Sequence, residues 1–396
     1  MKKLLVVLLS VLCVLTLAGC SNGGSGNGGG NDAPPTDETV TVKLGGSGPL
    51  SGDAKVYGEA VRNAAQIAVD EINASDSKIK FDFNMADDEA SGEKAVAAYS
   101  TLYDWGMQVS LLTVTSGAGA AVASSYDEDQ IFAITPSGSS TALVYTDSQN
   151  FKGNFQMCFT DPNQGVASAN YMKDHFADKT IAVIYKSDDV YSAGVNEKFA
   201  AQAAANGLNV VYSGAFTDDS STDFSTQLTA AKDAGADLVY LPIYYQPASI
   251  ILKQASDMGY APTFFGVDGM DGILTLEGFD TSLAEGVYLL TPFAADAEDE
   301  KTKHFVEAYQ SRFGETPNQF AADAYDCVYA IKQALENIGY NSMYAPNALF
   351  DDMVAQFTSM TFDGVTGTSM TWAENGEVSK APKAVVITNG VYVSAD

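Results

Sequence analysis

The chain has 396 residues, 46% of them hydrophobic and 18% charged, with a formal net charge of −29. That acidity argues against a nucleic-acid partner, which rewards basic faces, and the length allows two ordinary domains beyond the N-terminal segment. Only Cys158 and Cys327 lie outside that segment; two cysteines make no disulfide framework, and they are expected as separate, partly buried thiols.

Lys2 and Lys3 precede an uncharged run over 4–17, which ends in Leu17-Ala18-Gly19-Cys20. A charged start, an apolar stretch short for a membrane span and small residues before a cysteine make a lipobox. Residues 1–19 are therefore expected as a lipoprotein signal peptide and Cys20 as the lipidation site. Residues 20–38, rich in Gly, Ser, Asn and Pro, cannot bury a core and are expected as a flexible tether. Beyond Leu17 no uncharged run reaches ~18 apolar residues, so contact with the membrane is expected through the lipid anchor only.

Residues 39–44 alternate as a first strand and run into Gly45-Gly46-Ser47-Gly48. Tyr57, Val61, Ala64, Ala65, Ala68, Val69 and Ile72 recur at helical spacing. A second strand over 79–85 stops at Asp87-Asp88, and Ser91 can cap a helix with its body over 94–102. Two apolar runs follow, 109–115 and 131–136, each ending in a small hydroxyl-bearing turn: Ser116-Gly117-Ala118-Gly119 and Ser137-Gly138-Ser139-Ser140. The first turn opens a helix to Tyr126, and the second is expected to open one as well. The order β-α-β-α-β-α-β predicts a doubly wound parallel sheet. Near 155–161 the pattern restarts, with helices over 163–176, 194–205, 224–234 and 248–258 and strands over 180–185, 209–212, 237–241 and 262–265. This second lobe matches the first in plan, without a fixed-period repeat. A strand over 286–291 leads to helices over 298–313, 318–338 and 347–357. The tail, 370–393, reads as short strands with Asn375-Gly376 as a hairpin turn.

Backbone N–H groups at a helix start favour an anion. Tight packing also selects small residues, but two such turns at one sheet edge point to a ligand site. The hydroxyls of Ser116 and Ser139 suit one small carboxylate. Catalytic readings fare worse. Gly46-x-Gly48-x-x-x-Gly52 has one residue too many for a dinucleotide loop, and no acid follows at a second strand end. There is no phosphate loop and no nucleophile elbow. His175 and His304 are far apart, and Asp87, Asp88 and Glu89 read as caps. The chain is read as built to bind rather than to catalyse, with no metal and no cofactor.

Six short pieces in order carry a family resemblance: Gly48-Pro49-Leu50-Ser51-Gly52 with Tyr57-Gly58, Asp87-Asp88, Ile134-Thr135-Pro136, Asp223-Phe224-Ser225, Phe265-Gly266-Val267-Asp268-Gly269 and Ala324-Tyr325-Asp326. Together, over about residues 40–390, the chain resembles the branched-chain amino-acid (leucine/isoleucine/valine) binding proteins, solute receptors of ABC importers. The resemblance implies an α/β fold of two doubly wound Rossmann-like lobes joined by a three-strand hinge, a type I periplasmic binding protein. The N-terminal lobe is expected over 39–158 and 292–367, the C-terminal lobe over 159–291 and 368–396, and the hinge near 158–160, 290–293 and 367–371. A monomer is implied, which captures an amino acid as the lobes close and passes it to an ABC permease and ATPase. The alternative is a sensor for an amino acid or small amide or carboxylate, without transport.

Position by position, the resemblance implies carboxylate contacts at Ser116 and Ser139, a carbonyl for the ammonium at Ser137, and the acid that pairs with it at Asp268, where the branched-chain binders usually carry Glu. Closing aromatic side chains fall on Tyr57, Tyr191 and one of Tyr244 or Tyr245, and Phe320 lines the side-chain pocket. The small Gly117 and Gly138 and the shorter Asp268 are expected to enlarge or reshape that pocket.

Overall fold

Two sheets of the same winding face each other across a shared core. The computed structural model describes residues 38–395; the expected signal peptide, the tether up to residue 37 and the Cys20 lipidation site lie outside the described residues. The first sheet is built from β1 (Val40–Gly48), α1 (Lys55–Ala74), β2 (Ile79–Asp87), α2 (Gly92–Trp105), β3 (Val109–Ser110), α3 (Ser116–Glu128) and β4 (Phe132–Thr135). A hairpin of β5 (Tyr145–Thr146) and β6 (Gln149–Asn150) precedes β7 (Asn154–Gln156). Its order is β2-β1-β3-β4-β7, all parallel.

The second sheet follows with α4 (Asp161–His175), β8 (Thr180–Lys186), α5 (Val190–Asn206), β9 (Asn209–Phe216), α6 (Ser225–Asp233), β10 (Leu238–Leu241), α7 (Tyr245–Asp257), β11 (Thr263–Gly266) and β12 (Tyr288–Thr291). The chain then returns to the first sheet for α8 (Glu300–Phe313), α9 (Gln319–Asn337) and α10 (Pro346–Phe357). α9 packs along α1, and Phe357 of α10 meets Phe132 of β4 at 4.6 Å between ring centroids. Antiparallel β13 (Lys383–Thr388) and β14 (Val391–Ser394) finish the second sheet, of order β14-β13-β12-β11-β10-β8-β9.

The apolar periodicity becomes burial as expected: Tyr57, Val61, Ala64, Ala65, Ala68, Val69 and Ile72 of α1 are all buried. One large core runs from Val42 and Leu44 of β1 through α9 to Val239 and Leu241 of β10, so the two lobes share it. Smaller cores fill the other faces. Gly58 lets α1 start tightly under the preceding loop, since a Cβ there would stand 2.0 Å from the Pro49 carbonyl oxygen. Cys158 and Cys327 are free and buried. Among the described residues no helix is long and apolar enough to cross a membrane.

Two sequence expectations change. The second Ser/Gly turn opens no α-helix but a single 3₁₀ turn over Thr141–Leu143, because the β5–β6 hairpin follows at once. The third crossing between the sheets lies at 379–382, not at 367–371. The Trp372 indole, buried against Phe357, donates to the Gln156 carbonyl at 2.9 Å, and the Gln156 N–H donates to the Gly376 carbonyl at 2.9 Å. Those bonds hold 370–378 on the edge of the first sheet. The chain also passes between the sheets at 157–160 and 292–299.

Candidate ligand-binding site

In open parallel sheets, ligands settle beyond the carboxyl ends of strands where the strand order reverses. Both sheets reverse beside their first strand, at β1/β3 and at β8/β10. The carboxyl ends on the first lobe lead into Val114–Ser116 and to Ser137 and Ser139, and on the second into Tyr191, Tyr244 and Asp268. Together with Tyr57, Gly269 and Phe320 these residues line one small cavity.

On the first lobe the two Ser/Gly turns are tied to each other. Ser116 opens α3, and its Oγ accepts the Ser140 N–H at 3.1 Å, which leaves its own O–H as a donor. The Thr135 hydroxyl accepts the Ser137 and Gly138 N–H groups at 3.3 and 2.8 Å and so curls the second turn. The Tyr244 hydroxyl of the second lobe lies near the backbone N–H of Ser116, without hydrogen-bond geometry, at the helix start where an anion is favoured. The Ser139 hydroxyl faces the Asp161 carboxyl, which burial drives well above the usual carboxylate range.

On the second lobe Asp268 is 3% exposed. Its Oδ1 accepts the Tyr191 hydroxyl at 2.7 Å and its Oδ2 the Gln164 amide at 2.7 Å. Both donors are neutral. Burial pushes this carboxyl up to about 7, against the pull of the Tyr191 and Gln164 hydrogen bonds. The lobes are closed over this acid. Tyr57, from α1, donates its hydroxyl to the Gly269 carbonyl and accepts the Tyr245 N–H at 3.3 Å. Gln319 at the start of α9 reaches the Asp268 carbonyl at 3.3 Å. Aromatic rings fill the gap: Tyr57 lies edge-on to Tyr244 at 5.3 Å and to Phe320 at 4.7 Å, and Tyr191 stacks on Tyr244 at 5.1 Å. Only about 10 Å³ stays free, the space of a single water, so a ligand enters only as the lobes part.

The cavity thus brings together Tyr57, Ser116, Ser137, Ser139, Tyr191, Tyr244, Asp268 and Phe320 from the sequence-derived set. It leaves out Tyr245, whose hydroxyl instead donates to the Asp53 carbonyl at 2.7 Å. Of the two neighbouring tyrosines, Tyr244 faces the cleft. Gly138 does not enlarge the pocket either: a Cβ there would point at the Leu143 side chain, 2.4 Å away, and Gly119 faces the same leucine at 2.5 Å. These glycines admit Leu143 into the first lobe. Asp87 and Asp88 are turn acids, accepting from Leu50, Ser51 and Glu89 and from Ser47 and Ala90. Sequence reasoning missed Gln164, Asp161 and Gln319. Gln164 and Asp268 stand 104 residues apart, and no local pattern joins them.

Residues 41–390 match the family model described as periplasmic binding protein. The chain is 25% identical over 302 residues to the leucine-, isoleucine-, valine-, threonine- and alanine-binding protein of Pseudomonas aeruginosa, covering 76% of this chain and 79% of that one. It is 27% identical over 310 residues to a Leu/Ile/Val-binding protein of Rhizobium johnstonii, covering 78% and 82%. A solved branched-chain amino acid transporter substrate binding protein of Streptococcus pneumoniae, in complex with isoleucine, superposes with a TM-score of 0.79 at 25% identity, over 90% of this chain and 98% of that one. A solute binding protein of R. palustris in complex with benzoate reaches the same TM-score at 18% identity, covering 90% and 96%; that likeness shows the fold alone.

Proposed function

The chain belongs to the periplasmic binding protein family, and from that premise we propose that it is the extracytoplasmic receptor of an ABC importer, a monomer that captures an amino acid between its lobes. The observation that carries the reading is the pairing of opposite faces. One lobe offers a helix start and serine hydroxyls, which suit a carboxylate. The other offers Asp268, a buried acid held by the neutral donors Tyr191 and Gln164, which suits an ammonium. An α-amino acid carries both groups a short distance apart. The names of the relatives point to a branched-chain, threonine or alanine side chain, and Phe320 and Val114 supply the apolar wall that such a side chain needs.

Capture follows from contacts that exist only when the lobes are closed, which is the differential affinity that closure requires. Among the described residues the Ser116 N–H at the start of α3 has no hydrogen-bond partner fixed across the cleft, and an incoming carboxylate takes it together with the serine hydroxyls. The ammonium meets Asp268 and stabilises its ionised form, so the proton that burial favours is released to solvent. Tyr57 and Gln319, which bridge the lobes in the closed form, hold the second lobe to the first over the ligand. The lipobox ending in Cys20 supports a lipid anchor at the membrane, where a permease and ATPase would receive the amino acid.

Calorimetry against the common amino acids and their desamino analogues tests the reading. The best amino acid should lose at least ~2 kcal/mol of affinity in Asp268→Asn, and its desamino analogue much less. Equal losses would reduce the claim to carboxylates in general, and no heat from any amino acid would remove it. For the anchor, Cys20→Ser should leave the membrane fraction with ligand binding intact.

A further inference from the structure

Ser139 lines the cleft, but the acid behind it does not. Asp161 opens α4 on the second lobe, and its backbone N–H donates to the Ser139 carbonyl at 2.9 Å. Its side chain returns to the same turn, where the carboxyl faces the hydroxyls of Ser139 and Ser140. The residue is 2% exposed. Thr160, one residue earlier, already caps α4 by accepting the Asn163 N–H, so this carboxyl is left over from capping. None of the groups that act on its titration is basic: they are Asp268, Asp189 at the start of α5, and the two serines. It acts in turn on Tyr240, Tyr244 and Cys158, all neutral. Its Oδ1 is buried with no hydrogen-bond partner.

A carboxyl in this place has two settings. Ionised, it takes the Ser139 hydroxyl proton for itself and puts a negative charge behind an anion site, so a ligand carboxylate is both outcompeted and repelled. Neutral, it donates to the Ser139 oxygen and leaves the Ser139 proton free to point into the cleft. Burial among acids and neutral groups favours the second setting. We propose that Asp161 is a positioning residue for the ligand carboxylate: as a neutral acid it donates to Ser139 and turns that hydroxyl toward the ligand. This rests on the carboxylate capture proposed above and adds that Ser139 and Asp161 act as one unit. The Asp161 proton stays in place on binding, whereas that of Asp268 leaves. The cleft thus uses two buried acids in opposite states, one neutral behind the carboxylate and one ionised beside the ammonium.

The probes are L-leucine and 4-methylpentanoate, the same molecule without its amino group, measured by calorimetry on the full protein. Asp161→Leu removes the donor at similar size and should weaken both probes about tenfold, near the upper worth of one neutral hydrogen bond. Asp268→Asn should weaken leucine far more than 4-methylpentanoate. Failure of the amino-acid reading therefore shows in Asp268→Asn, and failure of this proposal in Asp161→Leu. Asp161→Asn keeps a donor without a charge and should recover most of the loss, to within about twofold of the unaltered protein. An infrared difference spectrum of the ligand-free protein at about pH 7, unaltered minus Asp161→Asn, should show the carbonyl band of a neutral carboxylic acid. That spectrum needs no ligand and decides the protonation state even if Asp161→Leu folds poorly. Carboxylate bands in it, undiminished binding by Asp161→Leu, tighter binding of 4-methylpentanoate by Asp161→Asn, or an Asp161→Asn as weak as Asp161→Leu would each overturn the proposal.

Discussion

Asp268 and Asp323 are both buried acids, 3% and 0% exposed, and burial pushes both up to about 7. They differ in what they face. Asp323, on α9, meets the buried ammonium of Lys380 at 2.5 Å. Lys380 stands on the third crossing between the lobes and also donates to the Thr366 hydroxyl at 2.7 Å. That hydroxyl in turn donates to Asp326 at 2.6 Å. Asp268 has only the neutral donors Tyr191 and Gln164. Burial and acidity alone therefore do not tell a ligand's acid from a structural one; the sign of the partner does. One acid has its cation built into the chain; the other, on the function proposed above, takes its cation from a ligand.

The largest expected effect tests that distinction. Lys380→Met leaves Asp323 and Asp326 buried without a cation, and breaking a buried pair in this way costs about 3–5 kcal/mol. Denaturant unfolding should show that loss. Asp268→Asn strands no charge in the ligand-free protein and should leave its stability unchanged or higher, while weakening the ligand. Equal stability losses in the two variants would erase the contrast.

The serines of the first lobe come next. Hydrogen bonds to charged groups contribute about 1.5–3 kcal/mol, so Ser116→Ala and Ser139→Ala should each weaken the amino acid roughly 10- to 150-fold. Stability should change less than in Lys380→Met. An unchanged dissociation constant in both variants would leave the second lobe as the whole site.

What was legible in the sequence divides along the same line. The serine turns are local, each a few residues at a strand end, and a reader can see them without the fold. The strand-helix alternation is equally local, and the two sheets follow it. Asp268 needed a family likeness, because its neighbours Gln164 and Tyr191 are 104 and 77 residues away. Direction was not legible at all. Tyr244 and Tyr245 are adjacent, yet one faces the cleft and the other reaches Asp53, a choice fixed by the start of α7. Gly138 looked like room for a ligand and is room for Leu143. The third crossing moved because the Trp372 indole finds Gln156 on β7, a contact that composition does not announce.

The pH dependence sharpens the comparison further. Both carboxyls lie above their unfolded values, so the native state holds extra protons between about pH 4 and 7. In the ligand-free protein that contribution to stability is fully present below this window and falls as pH rises through it. Ligand affinity runs the opposite way, since an ammonium binds the ionised form of Asp268. Below about pH 7 the proton must leave first, and affinity should fall by up to tenfold, or about 1.4 kcal/mol, per pH unit. Above it the profile should flatten. Calorimetry in buffers of different ionisation heat should record the released proton, and Asp268→Asn should abolish both the slope and the release. A slope that survives in Asp268→Asn would assign the titration to another group.

The smallest effect concerns how the lobes are fastened. Tyr57 belongs to the first lobe, and its hydroxyl donates to Gly269 and accepts from Tyr245 on the second. Its ring also packs edge-on against Tyr244, Tyr245 and Phe320. Tyr57→Phe keeps those ring contacts and removes only the hydroxyl, so it isolates the polar latch from the aromatic filling. A net interlobe hydrogen bond is worth about 0.5–1.5 kcal/mol, and that to Gly269 carries the effect, because the Tyr245 N–H bond at 3.3 Å is too long to add much. In the open protein the Gly269 carbonyl and Tyr245 N–H can turn to water, so the loss falls on the closed state alone. Affinity should drop roughly 2- to 12-fold, mainly through faster release, because the contacts are made after the ligand is seated. The profile below pH 7 should keep its slope, since Asp268 is untouched. If stopped-flow release rates match those of the unaltered protein, the lobes are held by Gln319 and the rings, and the hydroxyl of Tyr57 only satisfies its own burial.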